Sequence, residues 1–143
     1  MGLEMLSGQE QFTIATALAV VLATAVWAAY RPLARWVSVL IPVALFLLLA
    51  AGSWTIFEPR FHLNFYGNGF TCWTRSIPAA LAAAALAFYG FKIDSRLSCA
   101  LLGATAAIIA QTIYCPIVES RHIAIFHDGQ LLLWPFLLST LKR

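Results

Sequence analysis

The chain has 143 residues, of which 62% are hydrophobic and 10% are charged, whereas a soluble domain typically has about 45–50% apolar and about 25% charged residues. The formal net charge is only +3 at pH 7, and the basic residues lie singly between apolar blocks. That arrangement is typical of a membrane topology signal and not of a surface that binds nucleic-acid phosphates. The composition therefore predicts one all-α transmembrane domain, residues 1–143, and excludes a nucleic-acid partner.

Five apolar blocks follow one another along the chain, each close to the roughly 20 residues that a spanning helix needs. The fifth block is interrupted by Asp128, Gln130 and Pro135, so it either crosses the bilayer or enters it only in part. The sequence thus predicts a polytopic bundle of four to five spanning helices. The predicted helices are 12–30, 36–57, 71–91, 98–118 and 122–141.

The charged residues predict the orientation of the bundle. With the N-terminus outside, six of the nine Lys and Arg residues lie on the cytoplasmic side and three outside. This positive-inside bias favours an N-out, C-in topology. Aromatic residues near the block ends would form the two interfacial belts, and Trp73 and Tyr114 belong to the outer one. The six inner cations are Arg31, Arg35, Lys92, Arg96, Lys142 and Arg143.

Small residues recur four positions apart in the third and fourth blocks. Such spacing lets helix backbones approach closely in lipid, where apolar surface alone gives no drive to associate. The short KIDSR connection between these blocks predicts an antiparallel hairpin, and a glutamine in the fourth block should bond across a helix interface. The predicted packing residues are Ala79, Ala83, Ala87, Gly103, Ala107 and Gln111.

Polar side chains that carry chemistry concentrate in the stretch YCPIVESRHIAIFHDG, residues 114–129. On the predicted topology, Cys115 lies at the outer end of the fourth helix, and Glu119, His122 and His127 follow it. Cys72 lies at the outer end of the third helix. The sequence therefore predicts an outward-facing Cys/His cluster, with Cys99 at the opposite end as a packing residue.

Two chemistries are open to this cluster. Cys72 and Cys115 could form a disulfide if the hairpin brings their Cα atoms within about 7 Å, and an oxidising compartment would permit it. Alternatively, the two thiolates together with Glu119, His122 or His127 could bind a divalent metal ion, since zinc prefers such ligands. Inert packing of the cysteines and a capping role for the histidines also stay open, because the intervals match no standard zinc signature.

The functional hypothesis is an integral membrane sensor whose Cys/His cluster responds to redox state or to metal. A non-catalytic scaffold or partner subunit is the alternative. A thiol–disulfide oxidoreductase is favoured less, because such enzymes need a vicinal cysteine pair with a tuned thiolate. No catalytic motif is present in the sequence, so it predicts a protein that is not an enzyme.

Three segments in the second half of the chain resemble the NrsF-like family of bacterial membrane proteins, which are negative regulators of extracytoplasmic-function sigma factors. The resemblance covers roughly residues 67–143, while the first two blocks agree only in hydropathy. The matching segments are GFTCWTRSIPAALAAAALAF, SCALLGATAAIIAQTIYCPIV and RHIAIFHDGQLLLWPFLL.

The resemblance implies a multi-pass protein of the bacterial inner membrane, with two outer cysteines, Cys72 and Cys115, used in stress or metal sensing. It also implies a cytoplasmic regulatory protein or a membrane protein as partner, beside the lipid bilayer. On this resemblance, we expect the chain to be a shortened member that lacks the family's first helix and its cytoplasmic N-terminal segment, the part expected to engage the sigma factor.

Overall fold

The computed structural model describes residues 8–57, 65–115 and 120–140, and these residues form an all-α bundle with no β-strand. The prediction of an all-α fold is confirmed. Two segments are π-helical, one after α3 at Leu86–Gly90 and one after α5 at Ile123–His127. The α-helices are α1 Gly8–Ala29, α2 Arg35–Ile56, α3 Phe65–Ala85, α4 Arg96–Tyr114, α5 Ser120–His122 and α6 Gln130–Thr140.

Three helices are long and apolar enough to cross a membrane: α1, α2 and α4. Each of them is a long, mainly apolar stretch of sequence, and a helix rises 1.5 Å per residue, so each reaches about 30 Å. The segment Ile123–Leu138 is apolar but shorter. A full crossing by α3 or by the C-terminal segment, and the N-out orientation, stay predictions.

Helix α4 lies at the centre of the bundle and contacts α1, α3 and α6. Its side chains Ala100, Leu101 and Ala104 have no exposed surface. The helix begins at a serine cap, because the Ser98 backbone N–H donates to Oγ of Ser95 at 3.2 Å. The Ser98 hydroxyl in turn donates to the Ala25 carbonyl of α1 at 2.6 Å, so α4 begins beside the C-terminal end of α1.

Helices α3 and α4 pack antiparallel at very short range. The Tyr114 hydroxyl donates to the Cys72 carbonyl at one end, and further along Gly103 faces Ala80. A Cβ atom on Gly103 would lie 3.0 Å from the Ala80 carbonyl oxygen and 3.5 Å from the Cβ of Ala84. Any side chain at this position would push against the α3 backbone. Of the predicted packing residues, Ala87, Gly103, Ala107 and Gln111 are buried, and Ala79 and Ala83 are half-buried.

The structure differs from the predicted helices at several places. Helix α1 begins at Gly8, four residues before the predicted start, and α4 ends at Tyr114 and not at 118, because the backbone of Cys115 is extended. Helix α3 begins at Phe65, six residues before the predicted start, because the segment FYGNGF continues the helix despite its two glycines. The fifth block is not one continuous α-helix, since the π-helical segment and a turn at Asp128–Gly129 separate α5 from α6. The early start of α3, the end of α4 before Cys115 and the interrupted fifth block decide where the candidate site lies.

Candidate metal centre

Four side chains from three separate segments meet at one end of the bundle. Cys72 lies on α3, Cys115 caps the C-terminus of α4, and His122 and His127 lie on α5 and the π-helical segment after it. Their ligand atoms all lie within 4.8 Å of one another. Because α3 and α4 are antiparallel neighbours, residues distant in sequence converge here.

The π-helical segment brings the two histidines to one face. In an α-helix, with about 100° of rotation per residue, residues five apart would point about 140° away from each other. A π-helix forms i to i+5 hydrogen bonds and places such residues on the same side. The Asp128 N–H donates to the Ile123 carbonyl at 2.8 Å in this pattern. The rings of His122 and His127 are consequently only 5.0 Å apart, centroid to centroid.

Each thiol lies against one imidazole. The Sγ of Cys72 is 3.3 Å from Nε2 of His127, and the Sγ of Cys115 is 3.3 Å from Nε2 of His122. In a tetrahedral zinc site with Zn–S of about 2.3 Å and Zn–N of about 2.0–2.1 Å, ligand atoms are roughly 3.3–3.8 Å apart. Both thiol–imidazole pairs already have this spacing, and no two of the four donor atoms are more than 4.8 Å apart.

The cluster is buried. The exposed fractions are 4% for Cys72, 6% for Cys115, 0% for His122 and 5% for His127. The prediction of an outward-facing cluster is thus wrong. The cluster is buried for two reasons. Helix α3 starts early, so Cys72 lies about two turns after the start of the helix and not at its end. In addition, α5 and the π-helical segment after it cover the two thiols.

The carbonyl of Phe126 anchors the π-helical segment to both neighbouring helices. It accepts a hydrogen bond of 2.7 Å from Nε1 of Trp73 on α3 and one of 3.0 Å from Nε2 of Gln111 on α4. The Phe126 ring packs edge-on against Trp73, with centroids 5.4 Å apart, and it fills the space above Gly69, where a Cβ atom would overlap the ring. These contacts fix the backbone between the two histidines.

Replacing Trp73 by Phe should weaken zinc binding about tenfold, because groups that orient metal ligands typically contribute 10–100-fold in affinity. The ring stays apolar, but the N–H that holds the Phe126 carbonyl is lost. Competition with a chromophoric chelator measures the affinity. Trp54→Phe on the exposed face of α2 is the matched control. Equal affinities of the two variants would show that the Phe126 anchor does not support the site.

Buried polar contacts join the remaining helices to this end of the bundle. Nε1 of Trp134 donates to Oε1 of Gln130 at 2.6 Å, and Nε2 of Gln130 donates to Oγ of Ser76 on α3 at 3.1 Å. On the other side, the Ser53 hydroxyl of α2 donates to the carboxyl of Asp128 at 2.6 Å. The segment that carries the histidines is therefore fixed from α2, α3, α4 and α6.

A cavity of about 350 Å³ between α1, α2 and α4 reaches the cluster from the side. Cys115, His127 and Asp128 form part of its wall, and most of the other lining residues, such as Ile14, Leu49 and Ile108, are apolar. Cys115 and His127 therefore face an apolar space between helices as well as each other.

The structure brings together four of the five predicted redox and metal candidates: Cys72, Cys115, His122 and His127. Glu119 lies outside the described residues. No disulfide forms, since all three cysteines are free. Cys99 is buried at the other end of α4, with its thiol 3.4 Å from the Ile93 carbonyl.

Sequence reasoning missed the role of Trp73, which was assigned to an interfacial belt. Its position next to Cys72 in sequence was the only available sign. Gln111 was expected to bond across a helix interface, but its acceptor, the Phe126 carbonyl, could not be named without the π-helical segment.

No family model, curated protein or solved structure matches the chain. The NrsF-like resemblance therefore stays a prediction that these comparisons do not test.

Proposed function

We propose that this protein is an integral membrane metal-binding regulator, in which Cys72, Cys115, His122 and His127 bind one divalent ion of the zinc class. The observation that carries the proposal is the convergence of these four buried donors, all within 4.8 Å, from three separate segments. Two thiolates and two imidazoles are a common ligand set for tetrahedral zinc.

Charge balance favours a divalent ion. A zinc ligand cysteine is deprotonated, and a ligand histidine is neutral. Two thiolates with one M²⁺ ion therefore form a site of zero net charge, which can be buried among apolar helices at low cost, whereas unpaired buried charges are expensive. Hard ions such as Mg²⁺ prefer oxygen ligands, so they are not expected to bind here.

The regulatory part of the proposal rests on where the ligands come from. Binding an ion would join α3, the end of α4 and the segment that carries the histidines. Helix α2 is connected to that segment by the Ser53–Asp128 hydrogen bond. Without the ion these elements are held only by packing and a few hydrogen bonds. An ion that ties several elements together can bias an equilibrium between two arrangements of those elements, which is what a switch requires.

The decisive experiment measures zinc bound to the full-length protein in detergent micelles. Elemental analysis after dialysis should give one ion per chain for the wild type. Cys115→Ser should reduce the affinity by at least about 100-fold, more than is typical for an outer-sphere residue. Co²⁺ in place of Zn²⁺ should show the visible absorption of a tetrahedral ion and thiolate-to-metal charge transfer near the ultraviolet.

Cys99→Ser is the matched control, because it also replaces a buried cysteine of α4 but lies far from the cluster. It should bind zinc like the wild type. If the wild type and Cys115→Ser bind equally little zinc, or if Cys99→Ser loses binding as strongly, the proposed site is wrong.

Redox sensing is a second candidate, supported by the proximity of the two free thiols. With hydrogen peroxide as oxidant, the two thiols would give up two electrons and two protons, forming a disulfide while the peroxide becomes two water molecules. A metal-bound site would block this reaction, since both sulfurs would be ligands. A mass lower by two hydrogens in the metal-free protein, absent after zinc loading, would indicate that both states exist.

The downstream partner is proposed on the NrsF-like resemblance alone, as a cytoplasmic regulatory protein such as a sigma factor. Co-purification from cells grown with and without added zinc tests this part separately. A partner whose recovery does not change with zinc, or with Cys115→Ser, would contradict regulation through the metal centre.

A further inference from the structure

A groove of about 1270 Å³ runs along the side of the bundle, from the connections before α2 and α4 to Trp73, Ile125 and Gly129 near the metal centre. Helices α2 and α6 form its sides, and the connections before α2 and before α4 close one end. Its walls are mainly apolar and include Val39, Val43, Phe46, Leu132 and Phe136.

The closed end of the groove is basic. Arg31, Arg35 and Arg96 line it, with Asp94 as the acidic residue among them, so three positive and one negative formal charge give 3 − 1 = +2. These residues share one level of the bundle, because the Ser98 hydroxyl of α4 bonds to the Ala25 carbonyl near the end of α1. Arg31 also lies over the Trp27 ring, 5.5 Å from its centroid, a pairing suited to the membrane interface.

Along α2, the apolar wall of the groove has the length of one bilayer leaflet. From Arg35 to Phe46 the helix α2 advances eleven residues, or about 16 Å at 1.5 Å per residue. The hydrocarbon core of a bilayer is about 30 Å thick, so each leaflet contributes about half of that. A molecule with its charged group at the arginines would have its acyl chains beside Val39, Val43 and Phe46.

We propose that this groove is a binding site for an anionic phospholipid, with the phosphate at Arg31, Arg35 and Arg96 and the acyl chains along α2 and α6. A second copy of the chain fits less well, because the arginine end would then face an identical basic end in a symmetric contact. Basic pockets between membrane helices commonly bind anionic head groups. None of the four metal ligands lines the groove, although Trp73 lies at the end of the groove nearest the metal centre.

Native mass spectrometry of the delipidated full-length protein in micelles tests the proposal, with phosphatidylglycerol and phosphatidylcholine of identical acyl chains as probes. The wild type should retain phosphatidylglycerol at least about tenfold more tightly than phosphatidylcholine, since each arginine near a charged lipid contributes substantially to binding. The triple variant Arg31→Gln, Arg35→Gln, Arg96→Gln should bind both lipids equally. The single variant Arg35→Gln should show a preference for phosphatidylglycerol between those of the wild type and the triple variant. It gives a result even if the triple variant does not fold.

Lys92→Gln is the matched control, because Lys92 is a cation in the same connection as Asp94 but does not line the groove. It should keep the wild-type preference, and all variants should still bind zinc if they fold. Equal retention of the two lipids by the wild type, or loss of the preference in Lys92→Gln, would overturn the proposal. Displacement of the lipid by inorganic phosphate would show a phosphate site instead, and a dimer that excludes lipid would show an interface between copies.

Discussion

Zinc at about a thousand times its dissociation constant is expected to stabilise the wild-type protein by about 4 kcal/mol, because an ion that binds only the folded state shifts the unfolding equilibrium by mass action. For a chain of this size the gain corresponds to an increase of roughly 10 °C in the unfolding midpoint. The ligands belong to three segments, so each must be in its native place for the ion to bind. Thermal unfolding in micelles, at one fixed scan rate because such unfolding is often irreversible, measures the shift.

Two comparisons make this result specific to the four ligands. His127→Ala should lose most of the zinc-dependent shift, because it removes one ligand and opens the site on the side of Cys72; a 100-fold weaker affinity would leave about 1.4 kcal/mol of stabilisation at the same zinc concentration. Cys99→Ser should keep the full shift, and Mg²⁺ should stabilise neither protein, since hard ions avoid thiolate ligands. A similar stabilisation of His127→Ala and the wild type would mean that zinc binds elsewhere on the chain.

The helices of this bundle were predictable because length and apolar composition alone decide whether a segment suits a bilayer. The start of α4 was predicted within two residues, at a connection where Ser95 provides the cap. The start of α3 at Phe65 was not predicted, because the glycines and the asparagine in FYGNGF normally favour a turn. The end of that helix nearest the site therefore extends further than the sequence indicated.

The membership of the candidate site was predictable, but its geometry was not. The composition of residues 114–129 and the second cysteine on α3 identified the four donors. The interval between His122 and His127 matches no standard zinc signature, and residues five apart do not share a face of an α-helix. The i to i+5 pattern that brings them together is held by Trp73 and Gln111, which approach from other helices. Rules that use only neighbouring residues cannot foresee hydrogen-bond donors from other helices. The burial of the cluster and the pairing of each thiol with one imidazole could therefore be seen only in the tertiary structure.

The close approach of α3 and α4 makes Gly103 the position where a single substitution should affect both stability and the metal centre. In Gly103→Val, the new side chain would meet the Ala80 carbonyl, where even a Cβ atom lies 3.0 Å away. Backbone atoms cannot rotate aside, so the helices must separate. Overpacking of this kind typically costs 1–3 kcal/mol, which thermal unfolding of the metal-free protein would measure as a lower midpoint.

The same separation should weaken zinc binding by about tenfold or more, because α3 carries Cys72 and α4 ends at Cys115, and misplacing supporting groups alone costs 10–100-fold. Gly52→Val is the matched control, since a Cβ atom there has no neighbour within 4 Å; its stability should change by no more than about 0.5 kcal/mol. Zinc affinity should then be unchanged in Gly52→Val and reduced in Gly103→Val. If the two valine variants behave alike in both measurements, the spacing of α3 and α4 does not set the distance between the two thiols.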